Sequence, residues 1–322
     1  MIKKLLLSIC TSIILFISCS EEFEPFGEFR DSYVLTCLLN DDSTFQVAAL
    51  SHIYKTNSFD PYDNTTDPAI IGADIRVWLG DSVYVFRDSS IARNDTTRYN
   101  TPFNFYYNNN FLIKADQLVE VEVLLQNGRR LKSSSTTPGS ISFEKQSSVI
   151  IPPVGSELVN FSWRPHTEGT FFFPEFYIKY LHNVNGVIVE KLKLIPKNFV
   201  NQSGADNPIY PDPSNRTNIV YTLDAVTRTL AEISSGDPNK QNYTILQTPL
   251  FKLYAFDLNL SRYISSTNQS FDDLTVTVNE SDYSNIEGGL GIFGSYLSKN
   301  YESIKFQSSY IESFGYNFLI DN

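Results

Sequence analysis

The stretch VEVEVLLQNGRRLKSSSTTPG, residues 119–139, decides how this chain folds. Val119, Val121, Val123 and Leu125 alternate with polar residues, the two-residue period of a strand with one buried face. Asn127-Gly128 follows, and that pair supplies the positive φ angles a tight hairpin turn demands. Pro138-Gly139 ends the unit, and a domain boundary is placed there.

The same rhythm extends both ways. SYVLTCLL (32–39) and TFQVAALSHIY (44–54) read as a strand pair joined through Asn40-Asp41-Asp42. After the loop KTNSFDPYDNTTDPAI (55–70), GADIRVWLG (72–80) and DSVYVFRDSS (81–90) form a hairpin around Gly80-Asp81. Beyond the boundary come ISFEKQ (141–146), LVNFSWRP (158–165) and FFFPEFYIKYLHNVNGVIVEKLKLIP (171–196), with a second strong turn at Asn185-Gly186. Phe161 and Trp163 share one face of their strand, as core positions do. The 24 Phe and 19 Tyr, set in short runs between Asn, Asp, Ser and Gly, make the chain mainly β. The pattern of the second half suggests a fibronectin-III-like sandwich.

Two segments depart from the two-residue period. Leu223, Val226, Leu230 and Ile233 recur at helical spacing, with Gly236 and Pro238 placed to stop the helix. LNLSRYISSTNQS (258–270) predicts a shorter helix capped by Ser261. DLTVTVN (273–279) and YESIKFQSSYI (301–311) return to strand.

The N-terminus, MIKKLLLSICTSIILFISCSEEFEPFGEF, has the build of a secretory signal. Lys3 and Lys4 precede an apolar run, Leu5 to Ile17, that is too short to span a hydrocarbon core of about 30 Å. Phe16-Ile-Ser-Cys19 closes the run and resembles the lipobox of bacterial lipoproteins, in which the cysteine is acylated and becomes the new N-terminus. Residues 1–18 are then signal and residues 19–30 an acidic tether. The alternatives are an uncleaved signal anchor or a conventional cleavage nearby. Each buried methylene of a lipid chain contributes about 0.8 kcal/mol, so several chains on Cys19 anchor far more firmly than one. Ser20, Glu21, Glu22, Glu24 and Glu28 follow, and they resemble the signal that sends Bacteroidota lipoproteins to the outer face of the outer membrane. A solvated acidic spacer is the other reading of the same residues.

Loss of Lys3 and Lys4 with the signal takes the net charge from −11 to −13. Such a surface argues against nucleic acid, which needs clustered Lys and Arg, and against electrostatic docking on anionic lipid. Of three cysteines, Cys10 leaves with the signal and Cys19 is acylated, so no intramolecular disulfide is expected and an apolar core must hold the fold. Cys37, in an apolar strand, reads as an inert buried thiol.

Near the C-terminus, NIEGGLGIFGSY (285–296) contains Gly289-Leu-Gly291-Ile-Phe-Gly294, a literal match to the dinucleotide fingerprint G-x-G-x-x-G. That fingerprint works only between a strand and a helix N-terminus. Here strand-like alternation follows, and too few residues remain for a βαβ unit. Gly288, Gly289, Gly291 and Gly294 are therefore read as backbone devices for a sharp turn and close passage beside a strand. No cofactor is expected.

SNIEGGLGIFGSY (284–296) also resembles the C-terminal signature of a Bacteroidota lipoprotein family, domain of unknown function 4249. FDPYDNTTDPAIIGADIRVWLGDSVYVF (59–86) resembles that family's first-domain pattern, and SSTTPGSISFE (134–144) its domain junction. The resemblance covers nearly all of the mature chain. It implies an immunoglobulin- or prealbumin-like β-sandwich (residues 31–138) followed by a fibronectin-III-like domain (139–322) with one or two short helices. It also implies association with TonB-dependent outer-membrane receptors and brings no catalytic residues.

Few residues carry the marks of a reactive site. His52, His166 and His182 lie in separate segments without zinc-helix spacing, and no G-x-S-x-G occurs. Asp60, Asp63 and Asp67 fail the EF-hand pattern and read as a solvated loop. Asp272-Asp273 and Glu280 with Asp282 have the residue types of a glycosidase pair, with charged loops as the alternative. In NTPFNFYYNNNF (100–111), Phe103, Phe105, Tyr106 and Tyr107 stand among asparagines, where rings and amides suit a sugar or peptide ligand. Strand residues packed in a core are the competing reading, as they are for TFFFPEF (170–176). No catalytic or metal-ligating residue is assigned. The functional expectation is a non-enzymatic, surface-anchored outer-membrane lipoprotein that serves as accessory or ligand-capturing partner of a TonB-dependent transporter. An adhesion or envelope-scaffolding module and a secreted hydrolase are the alternatives.

Cys19 gives the first test. Cys19→Ala should abolish palmitate labelling and release the protein from the membrane fraction. Labelling and fractionation identical to the unaltered chain would refute lipidation at this site.

Overall fold

The computed structural model of the chain describes residues 32–53, 64–144, 149–164, 167–202, 204–267 and 283–320. In chain order the strands are β1 (Tyr33–Asn40), β2 (Gln46–His52), β3 (Asp74–Leu79), β4 (Ser82–Val85), β5 (Arg87–Ile91), β6 (Phe103–Asn108) and β7 (Leu118–Leu124). Then come β8 (Arg130–Thr136), β9 (Ser142–Phe143), β10 (Val149–Ile151), β11 (Leu158–Arg164), β12 (Phe172–Val184), β13 (Val187–Leu194) and β14 (Asn198–Gln202). The last are β15 (Ala205–Ile209), β16 (Asn218–Thr222), β17 (Tyr243–Leu246), β18 (Leu250–Phe256), β19 (Leu290–Tyr301), β20 (Ile304–Phe306) and β21 (Asn317–Leu319). Among the described residues three short α-helices interrupt them: α1 (Leu223–Glu232), α2 (Leu258–Thr267) and α3 (Ser308–Glu312). The architecture is mainly β, divided among several sheets.

The opening hairpin forms as its sequence dictates. β7 and β8 pair antiparallel around Gly128, whose φ is +82°. They belong to a four-stranded sheet, β4-β3-β7-β8. Its inward residues Ile75, Val77, Val119, Val121, Val123 and Leu131 meet Leu35, Cys37, Leu39, Ala48 and Leu50 of β1 and β2 in one core. Each fully buried leucine there contributes about 1.5–3 kcal/mol. Cys37 is completely enclosed, and burial pushes its thiol up to about 12, so the inert reading holds. The strand expected over 81–90 divides at buried Phe86: β4 stays with the four-stranded sheet, while β5 crosses to pair β6.

A second core gathers Phe161, Trp163, Phe172, Phe176, Tyr221, Phe251 and the inner face of α1. Asn185 (φ +53°) and Gly186 (φ +88°) turn β12 into β13 as the sequence predicts. In α1, Val226 and Leu230 are fully buried, Thr222 caps the N-terminus by accepting from Ala225 N–H, and Gly236 (φ +83°) follows the end.

Two local expectations need correction. Ser261 does not cap α2. Asp257 does, with Oδ1 accepting from Leu260 N–H at 2.7 Å, because it directly precedes the first helical residue. Ser261 lies buried within the helix and accepts from Phe171 N–H at 2.9 Å. Residues 301–311 are not continuous strand either: after β20 the backbone turns at Gln307 into α3, which buries Ile311. The strand expected over 273–279 lies outside the described residues.

β19 joins the two cores. Its first part runs parallel to β1, from Val34↔Leu290 to Asn40↔Tyr296. From Tyr296 onward it runs antiparallel to β18, from Phe256↔Tyr296 to Phe251↔Tyr301. One ten-stranded sheet therefore passes through both halves, in the order β21-β17-β12-β18-β19-β1-β2-β6-β5 with β13 beside β12. Ile286, Phe293 and Leu297, in the stretch assigned by sequence to the second module, pack in the first core.

The glycine motif makes this passage possible. Gly288 (φ +82°) turns the chain just after Glu287, which exchanges backbone hydrogen bonds with Lys132 of β8. Gly291 sits inside β19 at φ +111°, where an added Cβ would collide with the Leu35 carbonyl. At Gly289 a Cβ would come within 2.7 Å of the Tyr33 carbonyl, and at Gly294 within 3.1 Å of Leu260 Cβ on α2. The segment is strand from Leu290, with no helix opening after the glycines.

Gly291→Ala therefore combines an unfavourable φ, about 1–3 kcal/mol, with backbone collision, and should lower the urea midpoint sharply or prevent folding. Gly80→Ala, at φ +59° in open space, should cost only about 1–2 kcal/mol. Equal losses would show that β19 tolerates separation from β1.

Candidate functional site

In the second half, a groove of about 510 Å³ opens between β11, β16, the start of β12 and the start of β14. Trp163, Phe172, Pro174 and Pro211 form its buried apolar wall, and Lys197, Asp212, Arg216 and Asn218 stand at the rim. Trp163 reaches it because the alternation of β11 buries that position, and its indole packs on Phe172 with ring centroids 5.6 Å apart. The loop after β15 is tied down at three points. Ser214 and Phe172 exchange backbone bonds of 2.7 and 3.0 Å, and Trp163 N–H donates to Thr217 O at 2.9 Å. At the other end, Lys197 N–H donates to Ile209 O at 2.8 Å, and Thr222 N–H donates to Lys197 O at 2.9 Å.

Three buried side-chain polar atoms lack a partner among the described residues: Trp163 Nε1, Asn198 Oδ1 and Tyr221 OH. Two of these residues line the groove. A buried polar group left unpaired costs about 1–3 kcal/mol, so a site that keeps two of them is poised for a ligand that pairs them. Trp163 is only 2% exposed, which makes its N–H a desolvated donor. The third atom lies deeper: the Tyr221 ring packs on Phe176 at 5.2 Å, and burial pushes its hydroxyl far above the ordinary tyrosine range. Lys197 and Arg216 make no ion pair among the described residues. The groove thus gathers two cations and one carboxylate around an apolar wall in which Trp163 Nε1 and Asn198 Oδ1 are enclosed. Among the described residues, no group of three or more His, Cys, Asp or Glu side chains is placed to hold a metal ion.

The four aromatic candidates lie on β6 and point to opposite faces of it. Tyr106 is 1% exposed and locked in the first core, where its hydroxyl donates to Ile70 O at 2.8 Å and accepts from Ala73 N–H at 3.1 Å. Burial raises it to about 12. Phe103, Phe105 and Tyr107 share the other face, with centroids 6.0 and 6.3 Å apart, and Phe45 extends the row at 5.3 Å from Tyr107. Phe105 is buried, whereas Phe103 is exposed and carries Arg93 over its ring at 5.3 Å. This is a ring row on a sheet face, not a pocket.

Asp67 is spoken for: it accepts from Arg93 at 2.7 Å and from Ala69 N–H at 3.0 Å. His182 stacks on Tyr243 at 4.4 Å, far in sequence from His52 on β2. In TFFFPEF, Phe172 and Phe176 belong to the second core. Cys19, Asp60, Asp63, His166, Asp272, Asp273, Glu280 and Asp282 lie outside the described residues. The groove itself draws on four separated segments, so spacing along the chain could not reveal it. Its one sequence signal was the loop IYPDPSNRTN (209–218), where prolines and charges follow a strand and precede another.

No protein-family model matches the chain, and comparison with curated proteins returns no match.

The two buried tyrosines should respond oppositely to loss of the hydroxyl. Tyr106→Phe breaks two hydrogen bonds and leaves backbone groups buried, so it should cost about 1–3 kcal/mol. Tyr221→Phe removes a group that has no partner among the described residues and should be neutral or slightly stabilising. Urea unfolding of both variants checks this, and a large loss at Tyr221→Phe would reveal a partner for its hydroxyl.

Proposed function

We propose that the chain is a non-enzymatic lipoprotein of the bacterial outer membrane, held by acyl chains on Cys19 and facing the cell exterior. In this reading it is the accessory or ligand-capturing partner of a TonB-dependent transporter and a member of the domain of unknown function 4249 family. Its two cores then correspond to tandem sandwich modules, immunoglobulin- or prealbumin-like and fibronectin-III-like.

The observation that carries the capturing role is the groove, where a desolvated Trp163 N–H and the Asn198 carbonyl oxygen lie beside two cations that make no ion pair among the described residues. The lipobox-like Phe16–Cys19 and the acidic residues behind it support the anchoring. The acidic surface supports anchoring by lipid rather than by charge.

An adhesion or scaffolding module is the second reading, and β13 favours it. Val187 and Val189 on one face of that strand, and Ile188 and Leu192 on the other, are all exposed, which leaves apolar side chains on both faces for a protein surface.

Affinity capture of the lipidated protein from native membranes separates the two. Repeated co-recovery of a TonB-dependent receptor is expected. Its consistent absence, with cell-surface adhesion that survives deletion of neighbouring transporter genes, would replace the first reading with the second.

A further inference from the structure

The groove runs along a free strand edge. β16 is the outer strand of the three-stranded sheet β16-β11-β9, and among the described residues its only strand partner is β11. In an antiparallel strand, the N–H and C=O of one residue point to the same side, and successive residues alternate sides. The odd residues face β11: Thr217 O accepts from Trp163 N–H, and Leu223 N–H donates to Glu157 O. The even residues face outward, as Thr222 shows by donating to Lys197 O. Asn218 and Val220 therefore present both backbone groups to the groove they line. Their spacing is the two-residue repeat of a ladder, about 7 Å.

From this edge, from the unpaired Trp163 Nε1 and Asn198 Oδ1, and from the cationic pair at the rim, we infer that the ligand is an extended polypeptide segment of a partner protein, which adds to β16 as a fourth strand and carries a carboxylate side chain toward Lys197 and Arg216. A second backbone offers alternating donors and acceptors at the ladder repeat, and one of its carbonyls meets the Trp163 N–H. Phe172, Pro174 and Pro211 receive its apolar side chains. Asp212 stands at the same rim, so Lys197 and Arg216 leave a net single positive charge there, enough to favour an acidic segment over a basic one. The inference presupposes the ligand-capturing role proposed above and names the class of molecule captured.

The test uses the full-length lipidated protein in detergent micelles and a display library of random peptides of about ten residues. Enriched peptides should be extended, rich in β-branched residues, and carry Asp or Glu. Val220→Pro removes only an outward N–H, and proline is tolerated on strand edges. It should abolish binding while the unfolding midpoint stays near that of the unaltered chain. Trp163→Phe keeps an aromatic ring, though a smaller one, but loses the donor, and it should weaken binding about tenfold, as should Lys197→Glu combined with Arg216→Glu. Should Val220→Pro fail to fold, synthetic peptides decide: N-methylation of alternate residues on one edge should abolish binding, and on the other edge should not.

No enrichment, binding unaffected by Val220→Pro, or equal tolerance of N-methylation on both edges would overturn the inference. So would a glycan array that finds an oligosaccharide ligand where the peptide library finds none. Receptor capture repeated with Val220→Pro keeps this outcome apart from the transporter reading. Peptide binding without receptor recovery removes the receptor and leaves the groove. Receptor recovery without peptide binding does the reverse.

Discussion

The close passage of β19 beside β1 is the constraint on which the rest of the structure depends. At Gly291 the backbone of β19 occupies space beside the Leu35 carbonyl that any Cβ would fill. That contact admits a late segment into the sheet of the first core, where Phe293 and Leu297 complete the burial begun by Leu35 and Leu39. Five residues later the same strand has changed partners and orientation and is pairing with β18. Without glycine there, β1 would lose its parallel neighbour, and the two cores would lose the sheet they share.

A buried carboxylate reinforces the joint. Asp257, 2% exposed, accepts from Ser135 Oγ of β8 at 2.7 Å, from Ser295 Oγ of β19 at 2.8 Å, and from Leu260 N–H at the start of α2. Desolvation raises its pKa, and these hydrogen bonds offset part of that shift. One side chain thus ties the hairpin of the first core, the joining strand and a helix beside the second. Gly294, packed against Leu260, lets α2 lie close enough for this arrangement.

Much of the fold was legible in the sequence because local rules agreed with tertiary ones. The alternation of Val119 to Leu125, the positive-φ turns at Gly128 and Asn185-Gly186, and the Leu223–Ile233 helical face each carry their own signal. What sequence concealed was anything decided by distant partners. For Tyr106 the sequence left ligand contact and core packing as competing readings, because nothing nearby announces that Ile70 and Ala73 will claim its hydroxyl. The cap itself was a local signal, Asp257 standing directly before the helix, but its role as a joint was hidden because Ser135 and Ser295 lie more than thirty positions away. The groove was hidden for the same reason: Trp163 and Asn198 meet only after four segments have been assembled.

The pairing of Val34 with Leu290 has a consequence for how the molecule comes into being. Closing so long a loop carries an entropic cost that grows with the logarithm of its length, and the contact that offsets it is absent until residue 290 has been made. A ribosome that has delivered the first two hundred and eighty residues has produced an N-terminal half with an open seam beside β1. The seam closes only when β19 has been made and can lie down beside β1, so the first core is completed by one of the latest strands in the chain.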